Sequence, residues 1–463
     1  MRSIPRIISS VLVALVYVHA VSVTVFPNGE STGGVPLDVL PEHVTSGQTL
    51  AAYLSTFVDV EGIIVDAKDS AKKIIADRVV TGKGVHVHAY DDIQDHDNLY
   101  LIPPDFHFVW PYVEFGHRVA IESTQSPTGK PIVLESFSES PRVFLLHDFF
   151  TSDQADELIE RTLSITTAEQ KLKRSRVLTK EVSSVRTSDN AFDTTSDLAI
   201  SLNKRSFDLL RLGEYKVSMA DGLQLLRYQQ KQAYIPHNDY FEVGSTVNSE
   251  WNFNPKTGGS NRFATVFMYL SNVTRGGQTV FVRANMPEGV GHAPPPSEAE
   301  LAIFPQDSWE QKMTKQCFSK LASYPQKAHA VLFYSQKGNA ELDPMAEHGG
   351  CPVLEGTKWG ANLWVWNKKR LNGESGPIGA TFVNEMDVPL ELHWQTNLMT
   401  TLAPHSSIQY TSYAGHQWSF HNPATGTVEL ELTLQDTVDD TQRFVVPASP
   451  SSTTQPIRPN DEL

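Results

Sequence analysis

Residues 223–241, LQLLRYQQKQAYIPHNDYF, decide how this chain is read. The apolar run that opens the stretch has strand character, and a Gln- and Lys-rich turn follows it. A second extended segment then carries His237 and Asp239 two positions apart. In a strand the side-chain period is two, so both residues leave the same face, about 7 Å apart along the backbone. Such a pair can grip a metal ion, or it can be an accident of a polar strand end. A third ligand distinguishes the two.

That ligand lies downstream, in PMAEHGGCPVLEGTKWGANLWVWNKKR at 344–370. His348 precedes two glycines, and Lys358 follows ten residues later, just before another apolar run. Two histidines and one carboxylate on one side of a metal make the facial triad of non-haem Fe(II) oxygenases, which leaves coordination positions open for a bidentate 2-oxo acid and dioxygen. A lysine near such a site has a clear task, because its ammonium neutralises the far carboxylate of 2-oxoglutarate as a compact point charge.

The surrounding chain supplies the frame. A strand is expected over Val143–Leu146, followed by Thr151 and Gln154 at capping-box spacing and by Ala155, Leu158 and Ile159 on one helical face. A second helix is expected from Thr195 to Leu212. The runs GLQLLRY, RFATVFMYL, HAVLFYS and ANLWVWN then alternate with Gly, Pro and Asn clusters. Strands after helices predict an α+β domain with a β-sandwich or jelly-roll core. GHAPPPSEAE, 291–300, reads as a surface loop. Residues 24–130 carry no motif.

With these residues in place, 131–370 resembles the catalytic domain of the prolyl 4-hydroxylases, Fe(II)- and 2-oxoglutarate-dependent dioxygenases with a double-stranded β-helix core. SSVRTSDNAF, LQLLRYQQKQAYIPHNDYF, NRFATVFMYLSNVTRGGQTVF and LDPMAEHGGCPVLEGTKWGANLW carry the resemblance, in the family's order and spacing. It implies iron ligation by His237, Asp239 and His348, and a bond from Lys358 to the distal carboxylate of 2-oxoglutarate. Tyr228 and Thr279 fall where the family bonds the same cosubstrate, and Tyr234, Arg262 and Trp364 fall near the peptide. Fe(II), 2-oxoglutarate and ascorbate are the implied cofactors. Asn238 departs from the aromatic or other polar group that often stands between the first two ligands.

Residues 375–447 alternate polar and apolar side chains between turns rich in Pro, Gly and Asn, which predicts a small all-β sandwich. TFVN, Trp394, Leu402 and SYAGHQWSF resemble the β-domain of the von Hippel-Lindau tumour suppressor, whose pocket recognises hydroxyproline. By that resemblance Trp394, Ser412, Tyr413, His416 and Trp418 line the pocket. Met399 stands where that family has a tyrosine. The alternative is that His416 and Trp418 simply pack the sandwich.

The chain's bounds agree with a secretory protein. Its 463 residues, 40% hydrophobic, suffice for two or three domains with real cores. Residues 1–23 read as a signal peptide, with a signal anchor as the alternative, and no membrane span is expected after cleavage. The polar tail 448–463 ends in Asn460, Asp461, Glu462 and Leu463, similar to an endoplasmic-reticulum retrieval signal although Asn460 departs from its usual residues. The lumen is therefore the expected compartment. There, two cysteines, Cys317 and Cys351, suggest one disulfide, with two buried thiols as the alternative. Secreted prolyl 4-hydroxylases pair cysteines at such positions. Asn272 heads a glycosylation sequon. The net charge of -15 speaks against nucleic acid as a partner. The expected partners are a proline-rich polypeptide substrate and its hydroxylated product. The competing readings are a binder of proline- or hydroxyproline-rich chains without turnover, and an oxygenase acting on another residue.

Overall fold

Alternate residues of the strand Arg262–Tyr269 face two different cores. Ala264, Val266 and Met268 pack to one side, Phe267 and Tyr269 to the other. Leu223–Tyr228 repeats the split, with Leu223 and Leu225 opposed to Leu226 and Tyr228. Near-continuous apolar runs of this kind mark a sheet covered on both faces. The structure, a computed structural model, describes residues 20–63, 73–164, 172–174, 186–244, 252–370, 378–413, 415–434 and 441–448.

The covered sheet has nine antiparallel strands, in the order Arg118–Ile121, Ile132–Ser138, Val143–His147, His329–Tyr334, Arg262–Tyr269, Lys358–Trp366, Leu223–Tyr228, Asp189–Asp193 and Lys173–Arg174. Its outer face carries the helices Ser152–Ser164 and Asp197–Leu209 through Ala155, Leu158, Leu202 and Phe207. Its inner face meets a four-stranded antiparallel sheet, Tyr234–His237, His348–Gly350, Thr279–Phe281 and Leu321–Ser323. Leu226, Phe267 and Phe333 from one sheet and Phe281 and Leu321 from the other fill the space between them. This is the double-stranded β-helix, or jelly roll, in an α+β setting.

Local chemistry sets the element ends. The Thr151 amide donates to Gln154 Oε1 at 3.2 Å and the Gln154 amide to Thr151 Oγ1 at 3.1 Å, a reciprocal cap at the start of the first helix. The second helix is shorter than Thr195–Leu212. Ser196 caps it by accepting from the Ala199 amide, and Arg211 turns left-handed at φ 57° just beyond its end. In GHAPPPSEAE the loop stops at Ser297, which caps a helical turn, Glu298–Leu301, in a box with Glu300.

The described residues of 20–63 and 73–102 form a unit with its own core. Its mixed sheet runs Val35–Val39, Val21–Pro27, Asn98–Ile102 and Arg78–Thr81, the central pair parallel. Val23, Val25, Leu99 and Leu101 pack against Leu50 and Leu54 of the helix Gly47–Leu54. The opposite face, with Phe26, Tyr100 and Ile102, joins the large core beneath the nine-stranded sheet. Val21–Val23, inside the expected leader, begin the strand Val21–Pro27, and Arg118–Ile121, ahead of residue 131, is the edge strand of the nine-stranded sheet. Residues 1–19 and 449–463, which hold most of the expected leader and tail, lie outside the described residues.

The C-terminal stretch is a sandwich of a three-stranded sheet, Ser406–Ser412, Ile378–Asn384 and Thr441–Val446, and a four-stranded one, Asn397–Leu402, Leu390–Trp394, Gln417–His421 and Val428–Thr433. Ala380 and Phe382 from one face meet Leu392, Trp418 and Phe420 from the other. Among the described residues no helix is long and apolar enough to cross a membrane.

Candidate active site

His237 ends one strand and His348 begins the next, and the two are direct partners in the antiparallel ladder. Pairing therefore brings together imidazoles that lie far apart in sequence, with ring centroids 4.6 Å apart. Each ring's Nδ1 bonds a nearby carbonyl, that of Ile235 at 2.9 Å and that of Ala346 at 3.0 Å. Both Nε2 atoms are thereby left facing Asp239, at 3.6 Å and 3.7 Å from its two oxygens. One ligand atom from each residue lies within 4.8 Å of the others. Carbonyl-anchored Nδ1–H groups, inward Nε2 atoms and one carboxylate form a donor set that fits a divalent iron with open positions.

Asp239 is held as firmly as the histidines. Thr265 Oγ1 donates to its Oδ2 at 2.7 Å, and Arg262 donates to its backbone carbonyl at 3.1 Å. Burial pushes the carboxyl up, but His348, His237 and Arg262 outweigh it and hold the group far below the usual carboxylate range. Burial lowers His348 to about 4, so its imidazole is neutral and able to ligate at neutral pH.

The three groups line a cleft of about 800 Å³ between the two sheets. Deeper in it sits Lys358, 1% exposed, with no carboxylate paired to it among the described residues. Its ammonium instead faces the rings of Tyr228, Phe267 and Tyr269 at 4.8–5.4 Å. Burial lowers this lysine to about 7. A buried cation without an anion is costly, and a carboxylate entering the cleft removes that cost. Tyr228 and Thr279 line the same cavity, with Thr279 Oγ1 accepting from the Tyr269 hydroxyl at 2.8 Å.

Nearer the mouth, Tyr234 stacks on the His237 ring at 3.8 Å and carries the Arg186 guanidinium at 4.7 Å. Arg262 lies 4.0 Å from the Trp364 ring centroid and pairs with Asp221 at 2.9 Å. Every residue expected at the iron, the cosubstrate or the peptide thus borders one cleft. Thr265, Asp221 and Arg186 escape the sequence reading. Only Thr265 left a signal there: it shares strand parity with Phe267 and Tyr269, so it is a polar residue on an inward face.

Cys317 and Cys351 form a disulfide, which joins the end of the helix Trp309–Cys317 to the segment just after His348–Gly350. Asn272 is exposed, its Oδ1 accepting from the Lys327 amide. In the C-terminal sandwich the five expected pocket residues also cluster. Trp418 Nε1 donates to Ser412 Oγ at 3.0 Å, and Ser412 Oγ lies 3.0 Å from His416 Nδ1. The Trp394 and Tyr413 rings flank His416 at 5.2 Å and 5.4 Å. Trp394 Nε1 is buried without a partner among the described residues, and Met399 is exposed. Trp418 also packs on Phe382, with ring centroids 4.5 Å apart.

A model of the 2OG-Fe(II) oxygenase superfamily matches residues 223–366. A probable prolyl 4-hydroxylase 6 of Arabidopsis thaliana is 34% identical over 253 residues, covering 52% of this chain and 76% of that protein. Prolyl 4-hydroxylase 5 of the same plant is 33% identical over 238 residues, covering 50% and 70%. The 2OG complex of a viral collagen prolyl hydroxylase from Paramecium Bursaria Chlorella virus-1 aligns at 17% identity with a TM-score of 0.31, over 48% of this chain and 95% of that one. The chain belongs to the prolyl 4-hydroxylase family. It is a 2-oxoglutarate-dependent dioxygenase that acts on proline.

Proposed function

We propose that this protein hydroxylates C4 of proline in proline-rich polypeptides of the secretory pathway, and that its C-terminal sandwich binds the hydroxylated product. The observation that carries the enzymatic reading is the meeting, in one cleft, of three converging ligand atoms and a buried lysine with no anion among the described residues. When bound, iron with 2-oxoglutarate and dioxygen supplies the oxidation of a carbon–hydrogen bond. The chain's own residues do the rest. His237, Asp239 and His348 would hold the metal. Lys358 would orient the 2-oxo acid by its far carboxylate, with Tyr228 and Thr279 lining the same cleft. Tyr234, Arg262 and Trp364 border the mouth, where aromatic faces suit the flat rings of an extended polyproline II chain. A binder without turnover has no use for converging ligands and an unpaired buried ammonium.

The product-binding reading rests on the cluster around His416. An aromatic wall and a buried, unpaired Trp394 N–H meet a ring that bears a hydroxyl, and a site built for that hydroxyl rejects plain proline. The proposed compartment is the endoplasmic-reticulum lumen, an oxidising setting in which the Cys317–Cys351 bridge persists. Ascorbate keeps its place as the reductant implied by the family.

The experiment is a panel. Purified protein with Fe(II), ascorbate and 2-oxoglutarate is given proline-rich peptides, lysine-containing peptides and free amino acids, and products are weighed by mass spectrometry. Gain of one oxygen atom on proline alone is expected. Oxygen on lysine or on a free amino acid overturns the substrate class. For the module, titration of the full chain with matched hydroxyproline and proline peptides should favour the former, with the preference lost in His416→Ala.

A further inference from the structure

The cleft around the three ligands opens sideways at its rim. Asp221, Gly222 and Arg370 belong both to its wall and to that of a second cavity of about 170 Å³. The far side of this second cavity is the C-terminal sandwich, through Gln409, Tyr410, Thr411 and Tyr413. The shared sill is cross-linked by ion pairs. The Asp221 carboxylate pairs with Arg370 at 2.9 Å and Arg262 at 2.9 Å, and accepts from Trp366 Nε1 at 3.2 Å.

Strand alternation decides what the sandwich shows to this cavity. Along Ser406–Ser412, Ile408, Tyr410 and Ser412 turn into the sandwich while Gln409 and Thr411 turn outward. Tyr413 follows, 45% exposed, and its ring touches that of His416 at 5.4 Å. A line of residues therefore leads from the metal ligands over the sill and along the outer side of one strand to Tyr413, beside His416.

We propose that a single substrate polypeptide occupies this whole line, one proline at the metal and an earlier or later segment on Gln409, Thr411 and Tyr413. The inference rests on the hydroxylase reading of the cleft. The occupant is the cleft's own substrate because the two cavities have a common sill, so a chain leaving one meets the other. The chemistry agrees. The outward groups on the strand are uncharged, and the charges at the sill are paired with each other. An extended proline-rich chain has no internal hydrogen bonds, so its carbonyls are free to accept from the Gln409 amide and the Thr411 hydroxyl, and its rings lie flat on tyrosine. Joining the two contacts makes the second binding event intramolecular.

Two proline-rich peptides test this with the full-length, iron- and 2-oxoglutarate-loaded protein. One fills only the cleft, and the other is longer by about ten residues, roughly 30 Å of polyproline II. The wild type should show a KM for the long peptide about tenfold below that for the short one. Thr411→Arg, a change at an exposed position that obstructs the groove, should bring the ratio of the two KM values to about one, and Gln409→Ala should lower it partway. A long peptide with a photoreactive group at its tail should label residues 409–413 of the metal-free protein. An unchanged ratio in Thr411→Arg, or label found elsewhere, overturns the groove. Failure to turn over even the short peptide overturns the hydroxylase reading instead, and the photolabel still decides the groove by itself.

Discussion

Lys358 is the residue whose environment makes the sharpest demand. A desolvated ammonium surrounded by three aromatic rings has its pKa lowered to about 7, and no anion of the protein compensates it among the described residues. Binding a carboxylate favours the charged form, so at alkaline pH cosubstrate binding must take up a proton. The sign follows directly. Below pH 7 the free lysine is charged and binding is tightest; as pH rises through 7 the free ammonium is lost and the KM for 2-oxoglutarate climbs, by up to about tenfold per pH unit. Lys358→Met should raise that KM by about tenfold or more at pH 6 and abolish its climb, since the charge-assisted bond is worth roughly 1.5–3 kcal/mol. Steady-state kinetics from about pH 6 to about 9 check both. A parallel climb in wild type and variant would assign the pH dependence to another group.

At the scale of elements, the site depends on two short strands staying in register. His237 and His348 are ladder partners, and the disulfide anchors the chain three residues beyond His348 to the helix Trp309–Cys317. The bridge spans a sequence separation of 34, for which loop-closure entropy contributes about 4 kcal/mol. Cys317→Ser with Cys351→Ser should therefore lower the thermal midpoint measurably and raise the iron concentration needed for half-maximal activity. A lowered midpoint with unchanged iron demand would limit the bridge to global stability. Much of this scale was legible in the sequence, because capping chemistry and apolar runs are local. The Thr151–Gln154 box and the run RFATVFMYL are examples. The polar support was less so. Thr265 reaches Asp239 across 26 positions, and Asp221 reaches Arg370 across 149, and no local pattern announces partners that only the sheet brings together.

For the whole molecule, the same limit explains why residues 24–130 gave no motif although the described part of 20–102 has a core of its own. Their helix and strands are short, and one face of their sheet packs against other parts of the chain. Phe26, Tyr100 and Ile102 enter the core that also holds Phe106, Trp110 and Phe144. A chain beginning after residue 102 should thus expose apolar surface and aggregate or fold poorly, as read by calorimetry and light scattering. A fully active, monomeric remainder would show the unit to be dispensable to the core.

The central claim concerns the three ligands, and Asp239 tests it best because it alone supplies the carboxylate and is buried between both histidines. The measurement is the mass of a proline-rich peptide after incubation with Fe(II), 2-oxoglutarate and dioxygen, for wild type and Asp239→Ala side by side, with circular dichroism to show that both are folded. The wild type should add one oxygen atom to proline and the folded variant none. Turnover retained in Asp239→Ala would contradict the account.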